Sequence, residues 1–478
     1  MKFQLIMKSN FIQSFKGRGG IADVSKVAFP LVIASIGHGV NLFTDRVMLA
    51  NYNPAAMAAA FPAGLTSFTM SCIFLGIVGY AGVFVAQYSG AKQNHHVGKA
   101  VWQAIFLALT GGMLMAATTL FSQPLFDLFG HAETLRPMEI TYYNLLSWFG
   151  FVPLTTAALS TFWSGRAKTG MIMLVNLLIT LFNIPLNALL IFGWDFGSFA
   201  VPEFGIAGAA WGTIGAGASG MMVYLICFFL PSPRKIYGTC RNPYAPDIFK
   251  RLIRYGTPNG VQLVLDLATF NIFVVLLGKI SENVLTASTV AMSAYSLAFN
   301  PMIGFGQAAS ILVGQGVGAK DIPFAEKSVR NCFMLVLGYA ALMLVVFIIF
   351  PELICRMFDL QDEEVLRLSR IMLIFTSGYL FFDAINILFG NAVKGAGDTR
   401  FVMWAGIILG WVLFAIPCLA VYYTFSSSWA IDKFSDATAQ EINVWSLWSI
   451  CNLYIAMLAA TFYWRYRKGK WKSMSVIS

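Results

Sequence analysis

The stretch VAQYSGAK at residues 85–92 returns 228 residues later as VGQGVGAK at residues 313–320. The same shift, made without gaps, superposes further identical residues: Pro30 on Pro258, Gly76 on Gly304, and Lys99 on Lys327. At an offset of 230, Gly165 falls on Gly395 and Thr169 on Thr399. Matches that recur at one offset, in loops that follow the same-numbered apolar segment, predict a chain built from two repeats.

The composition indicates that the repeats fold in lipid. The 478 residues are 58% hydrophobic and 11% charged, with a mean hydropathy of +0.70, whereas soluble domains carry about 25% charged residues. A span needs about 20 apolar residues, and twelve such stretches are present. They lie near 26–49, 60–88, 101–122, 141–163, 170–193, 207–230, 255–278, 286–316, 331–350, 369–393, 401–424 and 444–465.

Six spans in each repeat return the chain to its starting side, so the two repeats are parallel and related by an axis along the membrane normal. We therefore predict an all-α polytopic membrane protein with twelve transmembrane helices in two six-helix lobes. The expected divisions are an N-terminal arm (1–25), an N-lobe (26–230), an inter-lobe linker (231–254), a C-lobe (255–465) and a tail (466–478).

The charges predict the orientation. With the N-terminus inside, 25 of the 32 Lys and Arg fall on the inner side and 7 on the outer side, while the acidic residues divide 5 inside and 14 outside. This is the positive-inside pattern. It predicts both termini in the cytoplasm of a multi-pass cell-membrane protein, a bacterial inner membrane if the source is bacterial. The net charge of +10 is then explained by orientation and contact with the bilayer, without a nucleic-acid partner. Residues 1–25 are polar and basic and show no cleavable signal pattern.

Three of the 22 acidic side chains fall inside the predicted spans: Asp45, Asp266 and Asp383. A carboxylate at mid-membrane costs about 2.5–3.5 kcal/mol on insertion scales, and residues kept at that cost are functional by default. The alternative for each is a packing role, such as an aspartate that caps a broken helix. The three acids together favour a cation-coupled transporter.

In the second repeat, Asp266 follows Pro258 by eight residues, and Tyr379 precedes Asp383 by four, which places both on one helix face. Two carboxylates and a phenol facing one cavity predict a site for a monovalent cation, with Asp266 and Asp383 as the Na⁺ ligands. Alternatively, one carboxylate carries a proton, because burial and a like-charged neighbour favour its neutral form.

In the first repeat, Asn183 and Asn187 are four residues apart around Pro185, and Thr213 lies on the next span. We expect these side chains to form a hydrogen-bonded network around a protonatable Asp45. The alternative is that the amides hold helices together.

His38 and Pro30 share the first span with Asp45. His38 precedes Asp45 by seven residues and occupies the position of Asp266 under the 228-residue shift. It is a candidate second proton carrier, or else a histidine that makes a hydrogen bond in the core. Pro30 is a candidate bending point near the carboxylate, because proline interrupts the helical hydrogen bonds.

Enzyme classes are excluded by missing partners. The string GASG at 217–220 matches that of intramembrane serine proteases, but no histidine follows His131 to act as the base. No P-loop motif is present, so ATP hydrolysis is not expected. The seven cysteines are scattered singly, without metal-ligand spacing. We expect no cofactor beyond a coupling ion, Na⁺ or H⁺.

Together, the 6+6 repeat, the VGQGVGAK run, KGAGDT at 394–399 and the membrane acids resemble the multidrug and toxic compound extrusion (MATE) family, in particular its NorM-like branch. The resemblance covers roughly residues 26–465 and implies a drug exporter. It also implies a cation site at Asp266, Asp383 and Tyr379, and a first-lobe site at Asp45 with Asn183, Asn187 and Thr213.

Three positions depart from the family pattern. The NorM-like branch usually has Glu where this chain has Asp266, and the DinF-like branch often has an acid where this chain has Asn187. The Gly-rich run that usually follows the first-span aspartate is replaced by Leu49-Ala50-Asn51-Tyr52.

The predicted function is therefore a secondary antiporter that exports amphipathic, cationic compounds in exchange for Na⁺ or H⁺ by alternating access, acting as a monomer. The alternative is a flippase for lipid-linked precursors, a class that resembles this fold. A flippase would be expected to line its cavity with several cations, whereas Arg46 is the one Lys or Arg in the predicted spans that does not lie at a span end, as Lys26, Arg370 and Arg465 do.

Overall fold

The computed structural model describes residues 17–195, 200–240, 244–356, 362–426 and 436–477. The first half contains α1 Ile21–Tyr52, α2 Pro54–Gly79, α3 Ala81–Gly90, α4 Asn94–Thr118, α5 Ser122–Phe129, α6 Arg136–Trp148, α7 Phe151–Ser164, α8 Thr169–Phe192, α9 Gly205–Phe229 and α10 Pro231–Tyr237. The second half contains α11 Pro246–Ile280, α12 Glu282–Gly318, α13 Ile322–Ile349, α14 Pro351–Arg356, α15 Glu363–Ala396, α16 Thr399–Leu409, α17 Ile416–Phe425 and α18 Asp436–Arg467. A two-stranded antiparallel ribbon, Trp194–Asp195 with Ala200–Val201, joins α8 to α9.

The described residues form twelve helical segments that are long and apolar enough to cross a membrane. Some are single helices, such as α1 and α8, and others are consecutive helices in line, such as α2 with α3 over Pro54–Gly90. Each of the twelve predicted spans lies within or largely within one of these segments, so the prediction of twelve membrane-spanning helices is confirmed. A helix satisfies its own backbone hydrogen bonds, which the hydrocarbon interior requires.

Proline marks both the interior and the beginnings of these helices. Pro30, Pro185, Pro258 and Pro301 lie inside α1, α8, α11 and α12. In contrast, Pro417 lies in the first turn of α17, directly after a π-helical turn at Gly410–Ala415. Because proline has no N–H to donate to the preceding turn, the backbone changes its hydrogen-bond pattern there.

The chain divides into two compact units. Unit 1 comprises Met1–Ala28, Leu265–Val313 and Ile322–Met474, and unit 2 comprises Phe29–Val264, Gly314–Asp321 and Ser475–Ser478. The division falls within α11, so Asp266 belongs to unit 1, whereas Asp45 belongs to unit 2.

The predicted linker at 231–254 overlaps two helices in the structure. The short helix α10 occupies its first residues, and α11 already begins at Pro246. Proline at the first helical position and Asp247 in the first turn are favourable there, because the proline needs no hydrogen-bond donor and the carboxylate complements the helix dipole.

The two repeats end their second span with the same turn. Lys92 and Lys320 both have a left-handed backbone with φ of 58°. The preceding residue in each repeat donates its N–H over 2.9 Å to a glutamine carbonyl, that of Gln87 or Gln315. The duplicated sequence has therefore kept its local conformation.

Within unit 2, these turns are also in reciprocal contact. A Cβ atom at Gly90 would collide with the carbonyl oxygen of Gln315, and a Cβ atom at Gly318 would collide with the carbonyl oxygen of Gln87. Glycine is required at both positions because backbone approaches backbone there.

The tail predicted at 466–478 is packed in the described residues. The α18 helix ends at Arg467 and is followed by a 3₁₀ turn at Lys470–Ser473. In unit 1, Trp471 is buried and its ring stacks on Tyr466 with centroids 5.2 Å apart. In unit 2, Val476 is fully buried and donates its N–H to Gln87 Oε1 at 2.9 Å. The predicted N-terminal arm, by comparison, lies largely outside the described residues, which begin at residue 17.

Candidate cation-coupling sites

We call the cluster of Asp45, Asn183, Asn187 and Thr213 in unit 2 the N-site. Asp45, on α1, is only 9% exposed. Asn187 donates its Nδ2–H to Asp45 Oδ1, and Thr213 donates its hydroxyl to Asp45 Oδ2 at 3.3 Å. Asn183 is a further side-chain hydrogen-bond partner of the carboxylate. The structure thus brings together the four residues that the sequence analysis grouped.

The close approach of α8 and α9 puts the N-site partners in place. A Cβ atom at Gly212 would collide with Asn187 Oδ1, and one at Gly208 would collide with the backbone of Leu190. Small residues at four-residue spacing allow membrane helices to approach this closely. Thr213, next to Gly212, is thereby held beside the asparagines on α8.

The N-site contains unpaired acceptors. The Oδ1 atoms of Asn183 and Asn187 are buried and have no hydrogen-bond partner in the described part of the chain. A buried polar atom without a partner costs free energy. Two unpaired amide oxygens beside a carboxylate favour a bound cation or a proton donor.

The other first-span candidates lie apart from this cluster. His38 is exposed on α1, and no hydrogen bond or ion pair joins it to another described residue. Pro30 lies fifteen residues before Asp45, inside the same helix. The Arg46 guanidinium lies over the Phe61 ring, 5.0 Å from its centroid.

We call the cluster around Asp383 in unit 1 the C-site: Asp266, Tyr295, Tyr379, Asp383 and Asn386. Asp383 is 3% exposed. Tyr295 donates its hydroxyl to Asp383 Oδ2 at 2.6 Å, and Asn386 donates its Nδ2–H to Oδ1 at 2.8 Å. Each oxygen of this carboxylate therefore has a donor from a neutral side chain.

Tyr379 joins this cluster through ring packing. Its ring packs edge to face on Tyr295, with centroids 5.2 Å apart and an interplanar angle of 78°. Asp266 and Asp383 both lie within electrostatic range of the Tyr379 hydroxyl, and Asp266 also lies within range of Tyr454. The predicted trio of Asp266, Tyr379 and Asp383 therefore shares one electrostatic environment.

Two donors to Asp383 were missed by the sequence analysis. Asn386 lies three residues after Asp383, a spacing that places both on one helix face, so a local signal was available. Tyr295 lies on α12, 88 residues away. Its contact depends on tertiary packing and has no local sequence signal.

The cation content of the spans needs one correction. The predicted tenth span ended at residue 393, but α15 continues to Ala396 and includes Lys394 in its last turn. Lys394 lies within electrostatic range of Asp266. It is therefore part of this membrane-spanning helix, whereas the sequence analysis placed it just beyond the span.

The acid content needs another correction. Glu139 was assigned to a loop, but it lies in the first turn of α6 and is fully buried. Its Oε1 atom lies 2.6 Å from His131 Nδ1, and its Oε2 atom has no hydrogen-bond partner in the described part of the chain. Because Arg136 and Pro137 begin α6 earlier than expected, the sequence pattern did not place Glu139 inside the helix.

The GASG sequence at 217–220 has a structural role in the helix α9. The Ser219 hydroxyl donates to the Ala216 carbonyl within its own helix at 2.6 Å, and Gly220 lies against the Ile179 side chain. Among the described residues, no group of three or more His, Cys, Asp or Glu is placed to hold a metal ion. A cation at either site would therefore use amide and hydroxyl oxygens along with the carboxylates.

Comparisons with known proteins agree with this architecture. The MatE family model matches residues 30–189 and 258–420, one segment in each repeat. The multidrug resistance protein NorM of Vibrio cholerae is 25% identical over 397 residues, covering 82% of this chain and 85% of its own length. The multidrug resistance protein PmpM of Pseudomonas aeruginosa is 25% identical over 407 residues, covering 82% of each chain.

Solved structures show the same fold. An outward-facing multidrug resistance MATE family transporter of the MOP superfamily has a TM-score of 0.82 at 16% identity, covering 97% of this chain and 98% of its own. The eukaryotic MATE transporter AtDTX14 has a TM-score of 0.74 at 16% identity, covering 94% of this chain and 97% of its own. At these identities the likeness extends to the fold alone.

Proposed function

Because the chain belongs to the MatE family, we propose that it exports amphipathic organic cations in exchange for inward-moving Na⁺ or H⁺. Family membership itself makes the chain a drug-export transporter and not an enzyme. The proposal adds the charge of the substrates, the coupling ions and the residues that bind them.

The observation that carries the proposal is a buried aspartate in each unit without a cationic partner. In the described part of the chain, no Lys, Arg or His forms an ion pair with Asp45 or Asp383. Asp398 shows the contrasting arrangement of a structural acid, because Arg465 places two nitrogens 2.7 Å from its Oδ2. A buried carboxylate must be neutralised, so Asp45 and Asp383 require a cation or proton from outside the chain.

That requirement suits an exchange mechanism. A carboxylate that is neutralised by the coupling ion no longer attracts a cationic drug, and one that holds the drug no longer needs the ion. If the two lobes alternate access between the two sides of the membrane, each carboxylate exchanges one cation for the other. The Tyr295 and Tyr379 rings beside Asp383 offer faces and edges for flat cationic substrates.

We assign Na⁺ to the C-site and H⁺ to the N-site. At the C-site, the carboxylates of Asp266 and Asp383 and the phenols of Tyr295 and Tyr379 can replace part of a hydration shell. At the N-site, the single carboxylate of Asp45 has amide neighbours, and its protonated form could donate a hydrogen bond to the Oδ1 atom of Asn183 or Asn187. Both ions then support export, each through its own unit.

The test is drug efflux from proteoliposomes with separately imposed gradients. Wild-type protein should export under a Na⁺ gradient with the pH gradient collapsed. Asp45→Asn should keep that Na⁺-driven export and lose the component driven by a pH gradient alone. If wild-type efflux stops without a pH gradient, the Na⁺ assignment fails and the N-site holds the coupling function.

We further propose that both termini are cytoplasmic, from the asymmetry of Lys and Arg. In a Cys-free background, a cysteine at Glu363, the exposed first residue of α15, should react with an impermeant thiol reagent from outside intact cells. A cysteine at the exposed Lys320 should not. The opposite labelling would refute the orientation without affecting the two ion sites.

A further inference from the structure

A basic cleft lies in unit 2 where α9 ends and the short helix α10 begins. It has a volume of about 570 Å³. Three of its lining residues carry or can carry positive charge (His95, Arg234 and Lys235), and Phe229 and Pro231 form an apolar wall. Its lining, as far as the described residues show it, contains no Asp or Glu. We call it the α9–α10 cleft.

Hydrogen bonds and close backbone packing fix the walls of the cleft. Trp102 on α4 donates its indole N–H to the Thr239 carbonyl at 2.6 Å, directly after α10. Gln103 accepts the Ala245 N–H at 3.3 Å. A Cβ atom at Gly98 would collide with the Tyr237 carbonyl. The segment that carries the two cations is therefore fastened to α4 at Tyr237 and Thr239, just after the cations.

The same segment is anchored from α7. The Arg166 guanidinium lies between the rings of Phe162 and Tyr237, at 3.6 and 4.6 Å from their centroids. Burial lowers the pKa of Arg166, while its contact with Tyr237 raises it. Arg166 therefore holds the end of α10 through Tyr237 and does not line the cleft.

The cations of the cleft have no acidic partner among the residues that the structure describes. Arg234 and Lys235 are exposed, and no ion pair joins either side chain to another described residue. Both therefore remain able to bind an external anion. The mixture of lining residues, cationic on one side and apolar on the other, favours an anion attached to an apolar group.

The position of the cleft identifies the class of anion. It lies at the end of α9, one of the twelve membrane-spanning segments. Around it, the apolar or aromatic side chains of Phe229, Leu230, Ile236 and Tyr244 are 41%, 47%, 44% and 65% exposed. Exposed apolar side chains next to two adjacent cationic side chains at the end of a span are typical of contact with anionic lipid.

We propose that the α9–α10 cleft binds the phosphodiester headgroup of an anionic phospholipid, with Arg234 and Lys235 on the phosphate and Phe229 against the acyl region. A free phosphate would satisfy the same cations but would leave the apolar wall uncovered. The site is separate from the N-site and C-site, so its test does not depend on the coupling ion.

The first experiment uses the wild-type chain, whose exposed Cys240 lines the cleft. The protein is reconstituted in phosphatidylcholine nanodiscs with or without phosphatidylglycerol, and Cys240 is labelled with a neutral maleimide. Phosphatidylglycerol should slow labelling of Cys240 several-fold and leave the partly buried Cys227 unchanged. Equal Cys240 rates in the two bilayers would overturn the proposal.

A second arm separates lipid from free anion. Inorganic phosphate at millimolar concentration in phosphatidylcholine nanodiscs should leave the Cys240 labelling rate unchanged. If inorganic phosphate protects Cys240 as well as phosphatidylglycerol does, the site is a free-anion site and the lipid proposal is wrong.

A third arm uses charge-matched variants. Arg234→Gln with Lys235→Gln should weaken the phosphatidylglycerol protection about 30-fold in a lipid titration, the effect of two cations near an anionic headgroup. The control, Lys320→Gln with Arg330→Gln, removes two exposed cations that are predicted to lie on the same side of the membrane but outside the cleft. If both pairs of substitutions weaken protection equally, the effect is general surface charge, and the proposal fails.

Discussion

Around Asp45 the donors are an amide and a hydroxyl, and two nearby amide oxygens have no hydrogen-bond partner among the described residues. Around Asp383 the donors are a phenol and an amide, and a second tyrosine packs on the first. The two repeats share their turns and their span pattern but have different side chains around their acids. The comparison teaches that the repeats share a scaffold while different side chains surround their acids, and our proposal assigns a proton to one site and Na⁺ to the other.

The strongest way to break this comparison is to remove the C-site charges. Asp383→Asn and Asp266→Asn should each abolish Na⁺-driven export, because the amide keeps the shape but cannot neutralise a cation. Efflux of a preloaded fluorescent cation from Na⁺-free proteoliposomes into a medium that contains Na⁺ measures this. The control is Glu363→Gln at an exposed acid, which should leave export unchanged. If either aspartate variant exports the cation at the wild-type rate under the Na⁺ gradient, the assignment of Na⁺ binding to the C-site is refuted.

A finer test removes only the phenol hydrogen bond. Tyr295→Phe keeps the ring but loses the 2.6 Å contact with Asp383. Hydrogen bonds to charged groups contribute about 1.5–3 kcal/mol, so the Na⁺ concentration for half-maximal export should rise roughly 10- to 100-fold.

The matched control for this test is Tyr339→Phe. Tyr339 also belongs to unit 1 and donates its hydroxyl, at 3.1 Å, to the backbone carbonyl of Ala298. The Tyr339→Phe variant should leave the Na⁺ dependence of export unchanged. If the two phenylalanine variants show the same Na⁺ dependence, Tyr295 is only a packing residue, and its hydroxyl is not a ligand of the C-site.

The smallest expected effect sharpens the N-site side of the comparison. Gly212→Ala places a methyl group where Asn187 Oδ1 now lies. Overpacking of this kind costs about 1–3 kcal/mol, so we expect a lower thermal midpoint and pH-driven export that is slower by a few-fold. Gly215→Ala, whose Cβ would lie at an ordinary 3.5 Å from Leu186 Cδ1, should change neither. Equal stability of the two variants would mean that α8 and α9 do not hold the N-site.

Much of the fold could be predicted because lipid imposes it. Every span must be apolar and helical, so length and hydropathy located all twelve spans. The amphiphilic ends were harder: α11 begins at Pro246 inside the predicted linker, and α15 carries Lys394 inside its last turn. Helix ends are set by capping and by contacts in the polar region, where hydropathy gives no signal.

The candidate sites divide in the same way. Asp45, Asp266 and Asp383 were found because charge in an apolar segment is conspicuous, and Asn183 with Asn187 because they are spaced on one face. Tyr295 and Glu139 were missed. A tyrosine in an apolar span is ordinary, and a glutamate near a helix start is normally exposed, so only tertiary packing distinguishes either residue.

The reciprocal contact of Gly90 with Gln315 and of Gly318 with Gln87 has the pattern of a homodimer interface, in which residue i meets j and j meets i. Fusion of a symmetric ancestor would leave this trace, and it also frees each copy to change alone. Gln87 now accepts the N–H of Val476, whereas Gln315 donates its side-chain N–H to the Gly165 carbonyl at 2.9 Å. A mutation in a true homodimer would change the equivalent glutamine in both subunits. In this single chain, a mutation changes Gln87 or Gln315 alone.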